Sequence, residues 1–305
     1  MGSGTFDAGA YASFSRSTVG KSTDEIYGSR RMDKSLDPKG VSMRESRDSA
    51  DNPKSTPLII ALDVTGSMGI LADVIAREGL GTLFRGIFDR KPISDPHVMF
   101  MGVGDANCDQ APLQVSQFEA DNRIVEQITK MWLEHGGGGN NFESYNLPWY
   151  FAAYHTDLDS MIKRAKRGYL FTVGDEEAPA DLTPSQIERF IGDKQTAPLN
   201  TKALLEAAQR QYDVYHIVVL EGDYARRAKD RALDTWRSLL GQKVIPLADH
   251  KKLAETIISA IEVVEGGNAH DSAMGWGAAA FPSIHAAVKD LPKGTTRKMI
   301  GGPAA

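Results

Sequence analysis

The sequence has few of the features that would place it in a membrane or outside a reducing compartment. Its 305 residues include one cysteine, Cys108, which excludes an internal disulfide and favours a reducing environment. No apolar run approaches the roughly 20 residues that a membrane-spanning helix needs. The first residues lack a positively charged start followed by an apolar segment, which argues against a secretory signal. We therefore expect a cytoplasmic protein with no membrane partner.

The sequence also lacks a strong charge of either sign. Its formal net charge is −5, from 35 basic and 40 acidic residues. A nucleic-acid-binding domain normally carries a marked basic excess, so we expect no nucleic-acid partner.

Between residues 57 and 265, short apolar segments alternate with segments of helical periodicity. This alternation predicts an α/β fold, namely a doubly wound, mostly parallel sheet with helices on both faces. Alternating apolar and polar residues over 113–118 predict one short antiparallel edge strand. The helix after the first strand contains Gly79 and Gly81, which either weaken it or let it pack closely. The predicted buried strands are 58–62, 97–105, 166–175, 214–220 and 244–247.

Two tails flank this predicted domain. Residues 1–56 are rich in Ser, Gly, Arg, Lys and Asp and have no sustained apolar period. Such a segment buries little apolar surface, so we expect it to be disordered, or to become ordered on a partner or by folding back over the domain. Residues 266–305 read as a second, flexible tail. The domain itself is predicted to span residues 57–265.

Aspartate follows three of the predicted strands, as Asp63, Asp105 and Asp175. Parallel strands end at one edge of a sheet, so these carboxylates are expected near a common crevice. Without a cation, their proximity would raise their pKa values and lower stability, which favours a metal. Aspartate is also frequent in turns, and Asp105, whose loop contains Asn107 and Asp109, fits that simpler role as well.

Two loops add further oxygen ligands. Thr65 and Ser67 follow Asp63 at alternate positions, and hydroxyls are ligands that Mg²⁺ or Ca²⁺ accepts. Glycines 136–139 are followed by Asn140 and Asn141, whose amide oxygens are also acceptable ligands. The alternative is that these asparagines only cap the helix that follows.

The run Asp63-Val64-Thr65-Gly66-Ser67 resembles the Asp-x-Ser/Thr-x-Ser signature of von Willebrand factor A (vWA) domains, where it forms the metal-ion-dependent adhesion site. The resemblance implies a bound divalent cation, with Mg²⁺ as the first choice and Mn²⁺ or Ca²⁺ as alternatives. The cation would be held by Asp63, Thr65 and Ser67, by a residue of a second loop, and by a later aspartate that corresponds to Asp175. The resemblance also implies an open coordination position that a partner's Asp or Glu fills. The second loop departs from the family, because Asn140 and Asn141 stand where a threonine is usual.

Three functions remain open from the sequence. We expect a metal-dependent protein-interaction module rather than an enzyme, acting as an adaptor in an intracellular complex beside an ATPase or in a large assembly. One alternative is a structural subunit docked by its tails, with a vestigial metal site. The other is a Mg²⁺-dependent phosphohydrolase that uses Asp63. That chemistry needs a second carboxylate two residues after the first, and the residue there is Thr65, which argues against this alternative.

Overall fold

Ten strands lie in the part of the chain that the structure describes. The computed structural model describes residues 4–134 and 140–293, except the side chain of Ser67. The strands are β1 Arg44–Ser46, β2 Thr56–Asp63, β3 Pro96–Val103, β4 Leu113–Val115, β5 Thr156–Leu158, β6 Gly168–Gly174, β7 Asp181–Leu182, β8 Leu199–Asn200, β9 Tyr212–Val219 and β10 Val244–Leu247.

Thirteen α-helices are described in the same residues, several with capping side chains that the sequence supplies. Thr183, for example, caps a helix with a reciprocal Gln186 contact. The helices are α1 Ala8–Ser17, α2 Thr23–Ile26, α3 Ile70–Val74, α4 Leu80–Arg90, α5 Arg123–Ile128, α6 Asn146–Tyr154, α7 Asp159–Arg164, α8 Pro184–Phe190, α9 Thr201–Ala208, α10 Asp223–Leu240, α11 Leu253–Val264, α12 Ala269–Met274 and α13 Phe281–Val288. A π-helical turn, Ile75–Gly79, joins α3 to α4.

The central sheet has six strands in the order β10-β9-β6-β2-β3-β4. All neighbouring pairs are parallel except β3 and β4, which are antiparallel. The predicted fold class is therefore confirmed, including the short antiparallel edge strand. Because β2 lies between β3 and β6, the loop after β2 begins beside the ends of both neighbours.

Both faces of the sheet are covered, and β2 shows why its sequence is apolar throughout. Leu58, Ile60 and Leu62 belong to one apolar cluster, whereas Ile59 and Ala61 belong to a second. Alternate side chains of a strand point to opposite faces, so a strand buried on both faces is apolar at each position. Helices α3, α4 and α11 contribute to the first cluster, and α6, α8, α9 and α10 to the second.

The N-terminal segment is folded back over the domain, which is one of the alternatives to a disordered tail that the sequence left open. Within residues 4–56, α1 and α2 pack on the first apolar cluster, to which Tyr11, Tyr27 and Leu36 contribute buried side chains. Strand β1 pairs in parallel with β5 outside the central sheet. The aromatic residues explain this packing, because each buries a large apolar area in an otherwise polar segment.

The C-terminal segment is also structured through residue 293. Helix α13 packs against α11, and Val288 and Leu291 lie in the first apolar cluster. The expected flexible tail is therefore wrong for residues 269–288, and residues 294–305 lie outside the described part of the chain. The domain limits at 57 and 265 stay a prediction.

Across residues 4–134 and 140–293, none of the helices combines the length and the apolar character that crossing a membrane requires.

Candidate metal centre

Asp63 is the last residue of β2, and its carboxylate is 1% exposed. Its Oδ1 accepts hydrogen bonds from the backbone N–H and the hydroxyl of Thr65, at 2.9 and 2.7 Å. Its Oδ2 accepts one from the Tyr145 hydroxyl at 3.0 Å. The turn after the strand therefore folds back onto the aspartate, and the residue at the start of α6 reaches its other oxygen.

The Thr65 hydroxyl lies between two carboxylates. Its Oγ1 is 2.7 Å from Asp63 Oδ1 and 3.0 Å from Glu143 Oε1. A hydroxyl has one hydrogen and can donate to only one of two ionised carboxylates. The second contact is therefore favourable only if Glu143 holds a proton or if a cation sits among these oxygens.

The other oxygen of Glu143 strengthens this argument. The residue is 5% exposed, and its Oε2 is buried without a hydrogen-bond partner in the described residues. A buried carboxylate oxygen without a partner costs free energy, so a native structure normally satisfies it with a proton, a water or an ion. Glu143 is thus a buried acidic group whose charge is not compensated by the described residues.

Asp175 follows β6 directly and faces the start of α10. Its Oδ2 accepts hydrogen bonds from the backbone N–H groups of Tyr224 and Ala225, at 2.7 and 3.4 Å. Gly222 makes this approach possible, because a β-carbon there would lie 2.4 Å from Asp175 Cγ. The glycine therefore brings the α10 loop against Asp175.

Burial raises the pKa values of the carboxylates at this sheet edge, and neighbouring negative charges raise several of them further. Burial raises the pKa of Asp63, and the nearby Asp175 raises it further. Burial followed by the charge of Asp63 raises the pKa of Glu143, and burial also raises that of Asp175. Burial and the charges of Asp63 and Asp175 raise the pKa of Glu176 to about 8. We call these four residues with Thr65 the Asp63 cluster.

A divalent cation fits the Asp63 cluster on chemical grounds. The cluster gathers several carboxylates and a hydroxyl, which are hard oxygen donors of the kind that Mg²⁺, Mn²⁺ and Ca²⁺ take. The unpartnered Glu143 oxygen and the raised pKa values are the marks of acidic groups whose charge is not neutralised by the protein. A bound cation would remove both costs.

The remaining predicted ligands are placed less directly. The Asn140 amide donates to Asp105 Oδ2, while its own oxygen accepts from the Phe142 backbone N–H at 2.8 Å. Asp105 Oδ1 accepts from the backbone and side chain of Asn107, at 2.9 and 2.8 Å. These bonds give Asp105 and Asn140 the turn-forming role, although Asp105 lies close enough to raise the pKa of Glu176.

The other two predicted ligands cannot be placed by their side-chain contacts. The backbone oxygen of Asn141 accepts from Glu177, and its side chain is exposed. The Ser67 side chain and the glycines of the 136–139 loop lie outside the described residues. Metal ligation by Ser67, Asn140 and Asn141 stays a prediction, as it does for Asp63, Thr65, Asp105 and Asp175.

Sequence reasoning missed three residues of this site. Glu143 is the only carboxylate between Glu134 and Asp157, and it lies in the loop already chosen for its asparagines. Glu176 directly follows Asp175. Tyr145 gives no sequence signal, because its hydroxyl reaches Asp63 only through the packing of α6, where its ring meets Trp236 edge-on at 5.4 Å.

Comparison with solved structures finds distant similarity. No family model matches the sequence, and no curated protein matches it. The chain is similar to the pilus adhesin SpaC from Lactobacillus rhamnosus GG in its open conformation, with 10% identity and a TM-score of 0.44, over 70% of this chain and 31% of that one. It is also similar to a von Willebrand factor type A structure from Catenulispora acidiphila, with 15% identity and a TM-score of 0.37, over 70% of this chain and 43% of that one. The chain spans less than half the length of either structure. At this level of similarity, neither assigns a function to it.

A second group of metal-ligating side chains lies after β9 and β10. Atoms of Glu221, Asp249 and His250 lie within 4.8 Å of one another. Here, however, the His250 ring and backbone N–H both contact Glu221 Oε2, at 2.7 and 2.8 Å. Burial alone would raise the pKa of Glu221, but the hydrogen bonds from His250, with the nearby Arg226, lower it, so this carboxylate is already compensated by the protein.

Proposed function

We propose that this chain is a protein-interaction module that depends on a divalent cation. The observation that carries the proposal is the Thr65 hydroxyl, which contacts the carboxylates of Asp63 and Glu143 while Glu143 Oε2 is left without a partner. Protein groups alone leave this arrangement short of positive charge. A cation supplies it.

The cation would be held by oxygens of the Asp63 cluster. Asp63, Thr65 and Asp175 are among the ligands that the sequence predicts, and Glu143 would join them from the loop before α6. Ser67, Asn140 and Asn141 remain candidates to complete the shell. Mg²⁺ is the first choice, because it combines few protein carboxylates with water or partner ligands, and Mn²⁺ and Ca²⁺ are the alternatives.

The bound cation would supply an attachment point for a partner carboxylate. By the resemblance to vWA domains, the partner would present an Asp or Glu side chain at an open coordination position. No covalent step is needed. We place the module in an intracellular complex as an adaptor or subunit, and an ATPase or a larger assembly is the partner class that the resemblance suggests.

The phosphohydrolase alternative is disfavoured by the surroundings of Asp63. Both of its oxygens already accept hydrogen bonds, from Thr65 and from Tyr145. The residue two positions after Asp63 is Thr65, so the second carboxylate that would act as general acid in this chemistry is missing. Release of nitrophenol from p-nitrophenyl phosphate, lost on Asp63→Asn, is the result that would favour this alternative.

The test is a calorimetric titration of Mg²⁺ and Mn²⁺ into chelator-treated protein, alone and with a short Glu-containing peptide. Saturable binding is expected in the wild type and in Asp51→Asn, whose exposed carboxylate lies outside the cluster. Asp63→Asn should weaken it by at least about tenfold, in line with losses at other metal sites. Equal binding by Asp63→Asn, or no binding with or without peptide, would overturn the proposal and favour the structural-subunit alternative.

A further inference from the structure

The helix that follows the Thr65 loop contains an irregular turn. In a regular α-helix, the Leu80 N–H would donate to Ala76 O, four residues before it. Here it donates to Ile75 O, five residues before it, which makes Ile75–Gly79 a π-turn. The turn leaves Ala76 O without Leu80 as its donor. Such turns are rare among helices as a whole, but those that occur are often found at functional sites.

The N-terminal segment supplies the missing donor. The Tyr11 hydroxyl donates to Ala76 O at 3.1 Å, and the Tyr27 hydroxyl donates to Ala72 O at 2.5 Å, one turn earlier. Both tyrosines are buried, at 6% and 4% exposed, so neither bond is easily replaced by water. Two side chains that lie 45 residues or more before the helix therefore bond to carbonyls in and beside the π-turn.

Other contacts fix the same segment to the same turn. Ser15 Oγ donates to Arg77 O at 2.7 Å. The Arg77 guanidinium donates in return to the carbonyls of Thr18 and Lys21, both at 2.8 Å. We call residues 6–27 the N-terminal strap, because they run along this helix and bond to it from α1 through α2.

The packing of the strap on α4 is equally specific. The Tyr11 ring lies over Gly81, where a β-carbon would sit 2.4 Å from Tyr11 Cε1. The Phe6 ring stacks on Phe84 with centroids 4.3 Å apart. Gly81 thus has the close-packing role that the sequence left open, and the strap fits this helix in one position.

The π-turn determines how α3 meets the candidate metal loop. A π-turn holds one residue more than the corresponding α-turn, so its loss would rotate α3 against α4 by about 100°. Helix α3 begins at Ile70, directly after the turn Gly66–Gly69. A change of register in the helix would therefore move Thr65 relative to Asp63 and Glu143.

We propose that Tyr11 and Tyr27 are positioning residues for the candidate metal site, and that their hydroxyls hold the π-turn in the register that places Thr65 between the two carboxylates. This inference rests on the proposed function of the Asp63 cluster. The strap acts through the helix and touches neither the cation nor a partner.

The test uses Tyr11→Phe, Tyr27→Phe and the double variant, which keep the rings and remove only the donors. The matched control is Tyr154→Phe on α6, a half-exposed tyrosine. Amide hydrogen exchange of residues 70–84 is measured without metal, and Mn²⁺ affinity is measured by calorimetry well below the melting temperature of each variant. Each single variant should exchange faster in this helix and bind Mn²⁺ about fivefold more weakly, the effect of one hydrogen bond, while the control should match the wild type.

Two results would overturn the inference, and they are distinguishable. Faster exchange with unchanged Mn²⁺ affinity would limit the tyrosines to a local structural role, with the proposed function intact. Absence of Mn²⁺ binding by the wild type itself would remove the proposed function and the positioning role together. Affinity lost in the Phe variants and restored by reverting each one supports the inference.

Discussion

Replacing Glu143 by glutamine should change metal binding and stability in opposite directions. The carboxylate is buried, its Oε2 has no partner in the described residues, and its Oε1 shares the Thr65 hydroxyl with Asp63. Glu143→Gln keeps the shape and removes the acid. The introduced amide can donate to Thr65 Oγ1 while Thr65 continues to donate to Asp63.

The magnitude follows from the contact to Thr65 that the carboxylate leaves unfavourable. Replacing it by a hydrogen bond from the amide is worth about 1 kcal/mol, which for about 300 residues corresponds to a melting temperature higher by about 2 °C. This gain is expected only in chelator. Mg²⁺ or Mn²⁺ affinity should fall by about tenfold or more, because the amide gives the cation no negative charge.

The assay is thermal unfolding by circular dichroism with chelator and with saturating Mg²⁺, beside calorimetric titration. Glu188→Gln, at an exposed position of α8, is the control and should change neither quantity. In Mg²⁺ the order of stability should reverse, since only the wild type gains the full binding energy. A variant that is less stable in chelator, or one that binds metal like the wild type, would refute the reasoning that Glu143 is an uncompensated ligand.

Two further predictions concern the same sheet edge. Gly222→Ala should lower the melting temperature by a few degrees and weaken metal binding, because its β-carbon would lie 2.4 Å from Asp175 Cβ and Cγ. The control is Gly28→Ala, which has open space around its β-carbon and should change neither thermal unfolding nor metal binding measured by calorimetry. In chelator, the melting temperature should fall as pH rises from about 4.5 to about 8. The pKa of Glu176 is near 4.5 unfolded and about 8 folded, so over this range the folded state holds a proton that the unfolded state has released. Saturating Mg²⁺ should flatten this fall, and a melting temperature in chelator that does not change with pH would count against a charge-crowded site.

The sequence by itself determined the sheet and one half of the candidate site. Five consecutive apolar residues before Asp63 specify a strand buried on both faces, because an exposed face would have required polar residues at alternate positions. The strand end then places Asp63 and Thr65 at the sheet edge, and the end of β6 places Asp175 beside them. These are local consequences of strand geometry, which is why they could be read from short segments.

Only the tertiary structure decided the other half. Glu143 reaches Thr65 across 78 residues of chain, and Tyr145 reaches Asp63 across 82. Tyr11 reaches the π-turn across 65 residues, and Tyr27 reaches α3 across 45. Their roles depend on which helix faces which loop, and no local periodicity records that. The N-terminal segment shows the same limit, because its composition is that of a disordered chain while a few aromatic side chains find one matching surface around Gly81 and Phe84. Local sequence determines where strands and turns form, whereas long-range packing determines which side chains come together around the buried carboxylates.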